Sequence, residues 1–334
     1  MRSGILAAIV LSLGASAKVR AEDEEFEKLY QKVVKSCVYI VTPVEGGLAT
    51  GSGTLIDVEK RLILTNWHVV DEAPRVSVQF PIYLKDGKIF RDKEKYMQKV
   101  LRNESTKGKV IATFKERDLA IIQLEKPAPD GTPALPLAKK STTNGTTVWN
   151  IGNPGAVPHL FSCTKGTVRT VGMETMFVGG GGDAFQVRAK LVVASNPINP
   201  GDSGSALFDK RGYLIAVAQS GDFSVQNINN FIDVEEVRAF LKEKKINIKE
   251  LSDEPDPAKP GEKDVVLPKN GKGTGTTVVE GNAKDQEAQK ALDNAKKVSD
   301  VESIYKGRLQ DVVKKYPGTK AAKEAQLLLS KLSM

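Results

Sequence analysis

Between about residues 37 and 232, short apolar runs rich in β-branched residues alternate with clusters of Gly, Pro, Asn and Asp. Many short strands with frequent turn signals are typical of an all-β barrel or sandwich. The predicted strands are 37–42, 53–57, 61–65, 75–80, 109–114, 119–124, 147–151, 164–171, 186–193, 205–208 and 213–219. The middle of the chain is therefore expected to be mainly β.

Helical spacing of apolar residues flanks this region on both sides. Residues 22–36 predict a helix whose first turn is acidic, which the helix dipole favours. Asp233, with a glutamate three residues later, is typical of a helix start and predicts a helix over 234–245. A helical segment is thus expected at each end of the β domain.

The sequence changes character after the β domain. Residues 251–283 are rich in proline and then in glycine and lack apolar periodicity, which predicts a disordered linker. Helical spacing returns over 284–315, and Thr319 can cap a second helix over 320–332. We expect a β domain over 22–250, the linker, and a helical hairpin over 284–334.

Residues 1–21 have the pattern of a secretory signal peptide. Arg2 precedes an apolar run over 5–14, which is too short to span a bilayer. Cleavage signals of small residues follow at 15–17 and, as a second option, at 19–21. We expect a secreted or periplasmic protein with no stable membrane span once this leader is removed. An uncleaved anchor is the alternative.

Composition and charge exclude several classes of protein. A hydrophobic content of 40% excludes wholesale disorder. The net charge is +8, from 49 Lys and Arg against 41 Asp and Glu. Without the three basic residues of the leader it falls to +5, from 46 against 41, which does not indicate nucleic-acid binding. Two cysteines exclude a disulfide framework and an all-cysteine metal site, and with only two histidines we expect no metal and no cofactor.

Cys37 and Cys163 leave two alternatives open. An exported chain meets oxidising conditions, in which the two thiols could pair. The interpretation that we favour is two buried free thiols, because free cysteine is often simply buried.

Three residues bring the elements of nucleophilic catalysis to predicted strand ends. His68 follows one strand, Asp118 directly precedes another, and Ser203 is flanked by Gly201 and Gly204. A serine hydroxyl becomes a nucleophile when a base takes its proton, imidazole titrates near neutrality, and a buried carboxylate holds the ring in one tautomer. The glycines allow a turn whose backbone N–H groups face a developing oxyanion. We predict a catalytic triad of His68, Asp118 and Ser203, and an oxyanion hole formed by the N–H groups of Gly201 and Ser203.

The segments around these residues resemble the trypsin-like serine proteases of the chymotrypsin fold. The motifs are Thr65-Asn66-Trp67-His68-Val69-Val70, Asp118-Leu119-Ala120 and Gly201-Asp202-Ser203-Gly204, and Ile151-Gly152-Asn153-Pro154-Gly155 is similar to the HtrA/Deg branch. The resemblance covers roughly 25–250. It implies two perpendicular six-stranded β-barrels with the triad in the cleft between them, a closing C-terminal helix, and cleavage of polypeptide substrates. HtrA-type proteases usually continue into a PDZ domain, whereas the linker and hairpin follow here.

The chain departs from the HtrA pattern in two places. Asp202 and Ser205 replace the asparagine and glycine that usually surround the serine, and we expect Ser205 to be tolerated. An insertion near 84–110 is strongly basic, and we expect it to be a solvated loop. The departures keep a second function open, in which an inactive or locked protease fold serves as a binding module and the helical tail is its contact element.

By position, the resemblance assigns the substrate pocket to Ala218, Gln219, Ser220 and Asn230. The surrounding segments, 217–221 and 228–231, carry no charged residue. We therefore expect an uncharged residue of small to medium size before the scissile bond.

The tail over 284–334 weakly resembles one tetratricopeptide-type helical hairpin. Such repeats need about three copies to be stable, and a single hairpin buries little surface by itself. We therefore expect 284–334 to self-associate or to bind a protein partner.

Overall fold

The computed structural model describes residues 24–178, 185–221 and 228–249 and, in the tail, 309–310, 313–314, 317 and 319–331. The chain divides into two units at residue 254. The predicted leader over 1–21 and the predicted linker over 251–283 lie outside the described residues.

The first unit is mainly β. Its strands are β1 (Cys37–Val44), β2 (Gly47–Asp57), β3 (Leu62–Thr65), β4 (Arg75–Gln79), β5 (Ile82–Tyr83), β6 (Ile89–Phe90), β7 (Thr106–Phe114), β8 (Leu119–Leu124), β9 (Thr147–Gly152), β10 (Ser162–Val178), β11 (Phe185–Ala194), β12 (Ala206–Phe208), β13 (Leu214–Gly221) and β14 (Asn229–Asp233). Every predicted strand has its counterpart here, and β5, β6 and β14 are additional. The polar sequence of β14 and the two-residue length of β5 and β6 gave no alternating signal.

Twelve of these strands form two closed barrels of six antiparallel strands. The first barrel has the order β1-β2-β3-β8-β7-β4, and the second has the order β10-β11-β14-β13-β12-β9. In the first barrel β1 pairs with both β2 and β4, and in the second β10 pairs with both β9 and β11. The mainly β prediction and the two six-stranded barrels are confirmed.

The two barrels share part of their core through β1. Val38 and Ile40 belong to the cluster inside the first barrel, together with residues of β2, β3, β4 and β8. The alternate residues Cys37, Tyr39 and Val41 belong to a larger cluster that continues through the second barrel. Because β1 is buried on both faces, it forms a continuous apolar run in the sequence rather than an alternating one.

Helices flank the barrels as expected. Residues 24–33 form α1, and a 3₁₀ turn over Val34–Ser36 leads into β1. The other helices of this unit are α2 (Trp67–Val70), α3 (Lys93–Leu101) and α4 (Val234–Glu243). Asp233 caps α4 by accepting a hydrogen bond from the Glu235 N–H (2.8 Å). Glu236 does not complete a capping box, because its carboxylate accepts the Lys190 N–H (2.8 Å) and pairs with Arg117 (2.6 Å).

The basic insertion is more ordered than a solvated loop, so that prediction was wrong. It contains the β5–β6 hairpin and α3, which Asp92 caps. Tyr96 is fully buried, and its hydroxyl donates to the Phe90 carbonyl and accepts the Ile82 N–H. Because lysines dominate this segment, its sequence pattern did not reveal that one buried aromatic residue, Tyr96, anchors it to the barrels.

Both cysteines are free thiols. Cys37 is buried on β1, and burial raises its pKa above the ordinary range of thiols. Cys163 is exposed at the start of β10. The expectation of two buried thiols is therefore right for Cys37 and wrong for Cys163.

In the tail, the structure describes α5 (Lys320–Lys331). Thr319 caps this helix as predicted, since its Oγ1 accepts the Ala322 N–H (3.2 Å). Most of the predicted helix over 284–315 lies outside the described residues. No helix among the described residues combines the length and the apolar character that crossing a membrane requires.

Candidate active site

His68 and Asp118 are in direct contact. The Nδ1 atom of His68 lies 2.8 Å from Oδ2 of Asp118, and the backbone N–H of His68 donates to Oδ1 (2.9 Å). An ionised carboxylate only accepts, so Nδ1 is the donor in this pair, and in a neutral ring Nε2 then carries the lone pair. The side chain of His68 is 26% exposed and that of Asp118 is fully buried. The pair therefore presents a basic nitrogen held by a carboxylate that water does not reach.

The backbone around Asp118 explains how the carboxylate is aimed. A 3₁₀ turn over Lys115–Arg117 ends at Asp118, which adopts the left-handed conformation (φ 54°, ψ 46°) that aspartate tolerates better than most residues. The Asn66 side-chain amide donates to the Asp118 carbonyl (2.9 Å). Residues 66–68 and Asp118 are thus joined by three hydrogen bonds.

A set of aromatic and charged contacts around Trp67 and Arg117 supports this arrangement. The ring of Phe185, at the start of β11, meets the ring of Trp67 edge to face with centroids 4.7 Å apart. The Lys115 ammonium lies 4.1 Å from the centre of the Trp67 ring. Arg117 pairs with Glu236 of α4 (2.6 Å). Phe185 on β11 and Glu236 on α4 thus contact the two segments that carry His68 and Asp118.

Ser203 lies on the turn between β11 and β12, which packs against the first barrel. Its carbonyl accepts the Ser52 N–H (2.8 Å), and the next N–H, that of Gly204, donates to the Ala218 carbonyl (2.9 Å). The Ser203 hydroxyl donates to the Gln219 carbonyl (3.2 Å). In the part of the chain that the structure describes, this hydroxyl makes no hydrogen bond to His68.

Gly201 and Gly204 are required by the path of this turn. Their φ angles are +101° and +87°, which L side chains rarely adopt. A Cβ on Gly201 would lie 2.5 Å from the Asn153 carbonyl oxygen, and one on Gly204 would collide with the Ser52 carbonyl oxygen and Thr65 Oγ1. Glycine at 204 therefore lets the turn approach β2 and β3 of the first barrel, and glycine at 201 lets it approach the segment that follows β9.

The peptide groups of the turn have a defined orientation. The Pro200 carbonyl accepts the Gly155 N–H (2.6 Å), and the Asp202 carbonyl accepts the Ser205 N–H (3.0 Å). Because these peptides are trans, the N–H groups of Gly201 and Ser203 point the opposite way. Among the described residues, neither N–H has a protein acceptor.

Asp202 is nearly fully buried beside the serine, at 4% exposure. Its Oδ2 accepts the Asn199 N–H (2.8 Å). Burial raises the pKa of this carboxyl from 3.8 to about 6, and the hydrogen bond from Asn199 opposes the shift without cancelling it. A carboxyl that titrates near pH 6 thus lies next to the candidate nucleophile.

The residues that the sequence assigns to a substrate pocket lie on β13 and β14. Ala218 and Gln219 are buried, Asn230 is half-buried, and Ser220 pairs with Asn230 across the two strands. Neither polar atom of the Gln219 carboxamide has a hydrogen-bond partner among the described residues. The intervening residues 222–227 lie outside the described part of the chain.

Ser205 has a specific partner, because its hydroxyl accepts a hydrogen bond from the Asn150 amide (2.8 Å) and the residue is fully buried. The sequence analysis missed Ser52, Asn150 and Phe185. Ser52 lies between two glycines, which is a signal of close backbone approach. The isolated sequence offers no comparable signal for the other two. Within the described residues, no group of three or more His, Cys, Asp or Glu could hold a metal ion.

Comparison with known proteins agrees with this geometry. Residues 51–217 match the family model of the trypsin-like peptidase domain. The chain is 30% identical over 171 residues to the periplasmic serine endoprotease DegP of Salmonella typhimurium, which covers 51% of this chain and 30% of DegP. It is 26% identical over 204 residues to the periplasmic pH-dependent serine endoprotease DegQ of Escherichia coli, which covers 61% of this chain and 37% of DegQ. The chain thus spans about a third of the length of these two relatives.

The fold also resembles a solved structure, that of the Rv3671c protease from M. tuberculosis in its active form. The TM-score is 0.52 at 20% identity, and the match covers 66% of this chain and 85% of the other. At this identity the likeness concerns the fold alone.

Proposed function

This chain belongs to the trypsin-like peptidase family and is related to the HtrA-type proteases DegP and DegQ, and on that premise we propose that it is an active, exported serine endopeptidase. The observation that carries the proposal is the His68–Asp118 pair, a partly exposed imidazole whose Nδ1 is held 2.8 Å from a fully buried carboxylate. That arrangement is the one that makes imidazole a base for a serine hydroxyl.

In the proposed mechanism, the Ser203 hydroxyl turns from the Gln219 carbonyl towards Nε2 of His68. The oxygen attacks the substrate carbonyl carbon, and His68 takes the hydroxyl proton. The N–H groups of Gly201 and Ser203 bind the oxyanion of the tetrahedral intermediate. His68 then gives the proton to the leaving amine as the C–N bond breaks, which leaves an acyl-enzyme. His68 then takes a proton from a water molecule, whose oxygen attacks the acyl carbon; the bond from that carbon to the Ser203 oxygen breaks, and His68 returns the proton to Ser203.

The substrates in this proposal are polypeptides with an uncharged residue before the scissile bond, recognised beside Ala218, Gln219, Ser220 and Asn230. The proposed location is the periplasm or the exterior of the cell. The apolar leader over residues 5–14 and the periplasmic relatives support that location. A role in protein quality control of the HtrA type is consistent with cleavage of unfolded chains.

A fluorophosphonate probe tests this function directly. The probe reacts with a serine only when a base and an oxyanion hole activate it, so wild-type protein should be labelled at Ser203. Ser203→Ala and His68→Ala should abolish labelling and turnover of casein. Ser141→Ala is the matched control, since Ser141 bonds Asp233 at the start of α4 and should leave both readouts unchanged. Casein turnover by Ser203→Ala near the wild-type rate contradicts the proposal.

One observation favours a second candidate, a locked protease fold that acts as a binding module. The Ser203 hydroxyl is engaged by the Gln219 carbonyl (3.2 Å). If this state persists with substrate present, wild-type protein will not be labelled although it is folded. The same labelling experiment therefore separates the two functions.

A further inference from the structure

Ser52, on β2 of the first barrel, joins three separate segments of the candidate active site. Its N–H donates to the Ser203 carbonyl (2.8 Å), and its carbonyl accepts the Thr65 hydroxyl (2.7 Å). Its own hydroxyl donates to the Gly201 carbonyl (2.8 Å) and accepts both the backbone N–H and the side-chain amide of Asn153 (3.0 Å each). Ser52 is 1% exposed, so water does not compete for these bonds.

The directions of the bonds at the Ser52 hydroxyl are fixed by chemistry. Both nitrogen groups of Asn153 can only donate, and the Gly201 carbonyl can only accept. The single hydroxyl hydrogen therefore points at Gly201, and both lone pairs face Asn153. Asn153 is itself anchored, because its amide also donates to the Val38 carbonyl (3.0 Å) and its Oδ1 accepts the Phe161 N–H (3.0 Å).

We propose that Ser52 is a positioning residue that holds the oxyanion-binding turn in its active orientation through the hydrogen bond from its hydroxyl to the Gly201 carbonyl. The Gly201 N–H belongs to the preceding peptide, whose Pro200 carbonyl is held by Gly155. The hydrogen bonds that the Pro200 and Gly201 carbonyls accept therefore fix the turn on both sides of the Gly201 N–H. Without the Ser52 hydroxyl, the Gly201–Asp202 peptide keeps only the hydrogen bond from its N–H to the Asn199 carbonyl (2.9 Å), so its carbonyl loses its partner and the peptide is held less firmly. This inference rests on the proposed peptidase function.

Ser52→Ala is a selective test, because it keeps the two backbone bonds to Ser203 and Thr65 and removes only those of the hydroxyl. The oxyanion forms during the reaction, so misalignment of the Gly201 N–H should lower kcat more than it alters KM. A donor lost outright from such a site costs about 10²–10³ in rate, and a misaligned donor should cost less. We expect kcat on a chromogenic peptide to fall about 10- to 100-fold with KM within about twofold.

The control is Ser36→Ala. The Ser36 hydroxyl also donates to a backbone carbonyl, that of Pro133 (2.8 Å), and Ser36 is likewise buried, but it precedes β1 and does not contact the turn. Both variants should lower Tm by similar amounts, whereas only Ser52→Ala should lower kcat. A peptide boronate, which forms a tetrahedral adduct with Ser203, should bind Ser52→Ala more weakly by the same factor as kcat falls.

With Ser52→Ala and its control, three results overturn the inference. Ser52→Ala could keep kcat within about twofold of wild type, its loss could lie in KM alone, or Ser36→Ala could lose kcat equally. If Ser52→Ala does not fold, Ser52→Cys preserves the shape with a weaker donor and should show an intermediate fall in kcat, and full kcat in that variant overturns the inference. If wild-type protein shows no turnover that depends on Ser203, the proposed function fails and this inference fails with it.

Discussion

We predict that Asp202 makes the free energy of unfolding of the protein depend on pH. Its carboxyl is nearly fully buried, and burial raises its pKa from 3.8 to about 6. A carboxyl with a raised pKa binds its proton more tightly in the folded state, so protonation favours folding. Its contribution to the free energy of unfolding is fully present below about pH 4 and is lost as the pH rises through about 6. This rise in the pKa corresponds to about 3 kcal/mol in the free energy of unfolding, as an upper limit.

Asp202→Asn removes the charge and keeps an oxygen that can accept the Asn199 N–H. The variant should therefore be more stable than its parent by about 2–3 kcal/mol at pH 8 and by close to zero at pH 4. Urea unfolding at several pH values between 4 and 8 measures this difference. Both proteins should carry Ser203→Ala, so that self-digestion does not distort the unfolding curves.

A matched control is Asp209→Asn, on another turn of the second barrel. Asp209 accepts hydrogen bonds from the Arg211 side chain (2.8 Å) and the Tyr213 N–H (3.2 Å), so removing its charge should destabilise the fold at pH 8. Two results would refute the reasoning about Asp202. The stability difference between Asp202→Asn and its parent could be the same at pH 4 and pH 8, or the advantage of the variant over its parent could grow as the pH falls.

The remaining predictions concern Asp118, the contact between Phe185 and Trp67, and the tail. Asp118→Asn should lower kcat by a factor of about 10⁴, because the amide holds His68 in the wrong tautomer. Peptide hydrolysis measures kcat, and a loss of less than tenfold would contradict the proposed triad. Phe185→Ala removes the contact with Trp67 and should lower the free energy of unfolding, measured in urea, by about 2 kcal/mol. This is roughly half the cost of truncating a fully buried phenylalanine, because the ring is half-buried. A loss below about 0.5 kcal/mol would show that this contact does not stabilise the fold. Deleting 252–334 should leave peptidase activity intact and lower the mass in solution if the tail self-associates, whereas a truncated protein without activity would place part of the chemistry in the tail.

Local features of the chain determined much of this picture. The β-branched runs predicted the strands because strand preference and turn residues act within a few neighbours. Thr319 and Asp233 marked helix starts for the same reason, since a cap bonds the first turn of its own helix. His68, Asp118 and Ser203 could be selected because each lies in a short motif whose chemistry is apparent from its residue types.

Local sequence patterns failed to predict structure where burial or pairing depends on residues that are distant along the chain. α3 was missed because lysines dominate its surface, while the buried Tyr96 is a single residue that no periodic pattern reveals. β14 was missed because its polar residues become strand only when β11 and β13 supply partners on both sides. Cys163 was expected to be buried, but whether a strand residue faces the core depends on how the barrel closes.

The contacts of the candidate active site belong to the tertiary structure alone. Ser52 and Gly201 are 149 residues apart along the chain, and Ser52 and Asn153 are 101 apart, yet hydrogen bonds of 2.8–3.0 Å join them. The Ser203 hydroxyl faces the Gln219 carbonyl only because β13 lies beside the turn. A sequence specifies which groups are available for such bonds. Their lengths and directions arise only when two closed barrels bring distant segments within 3 Å of one another.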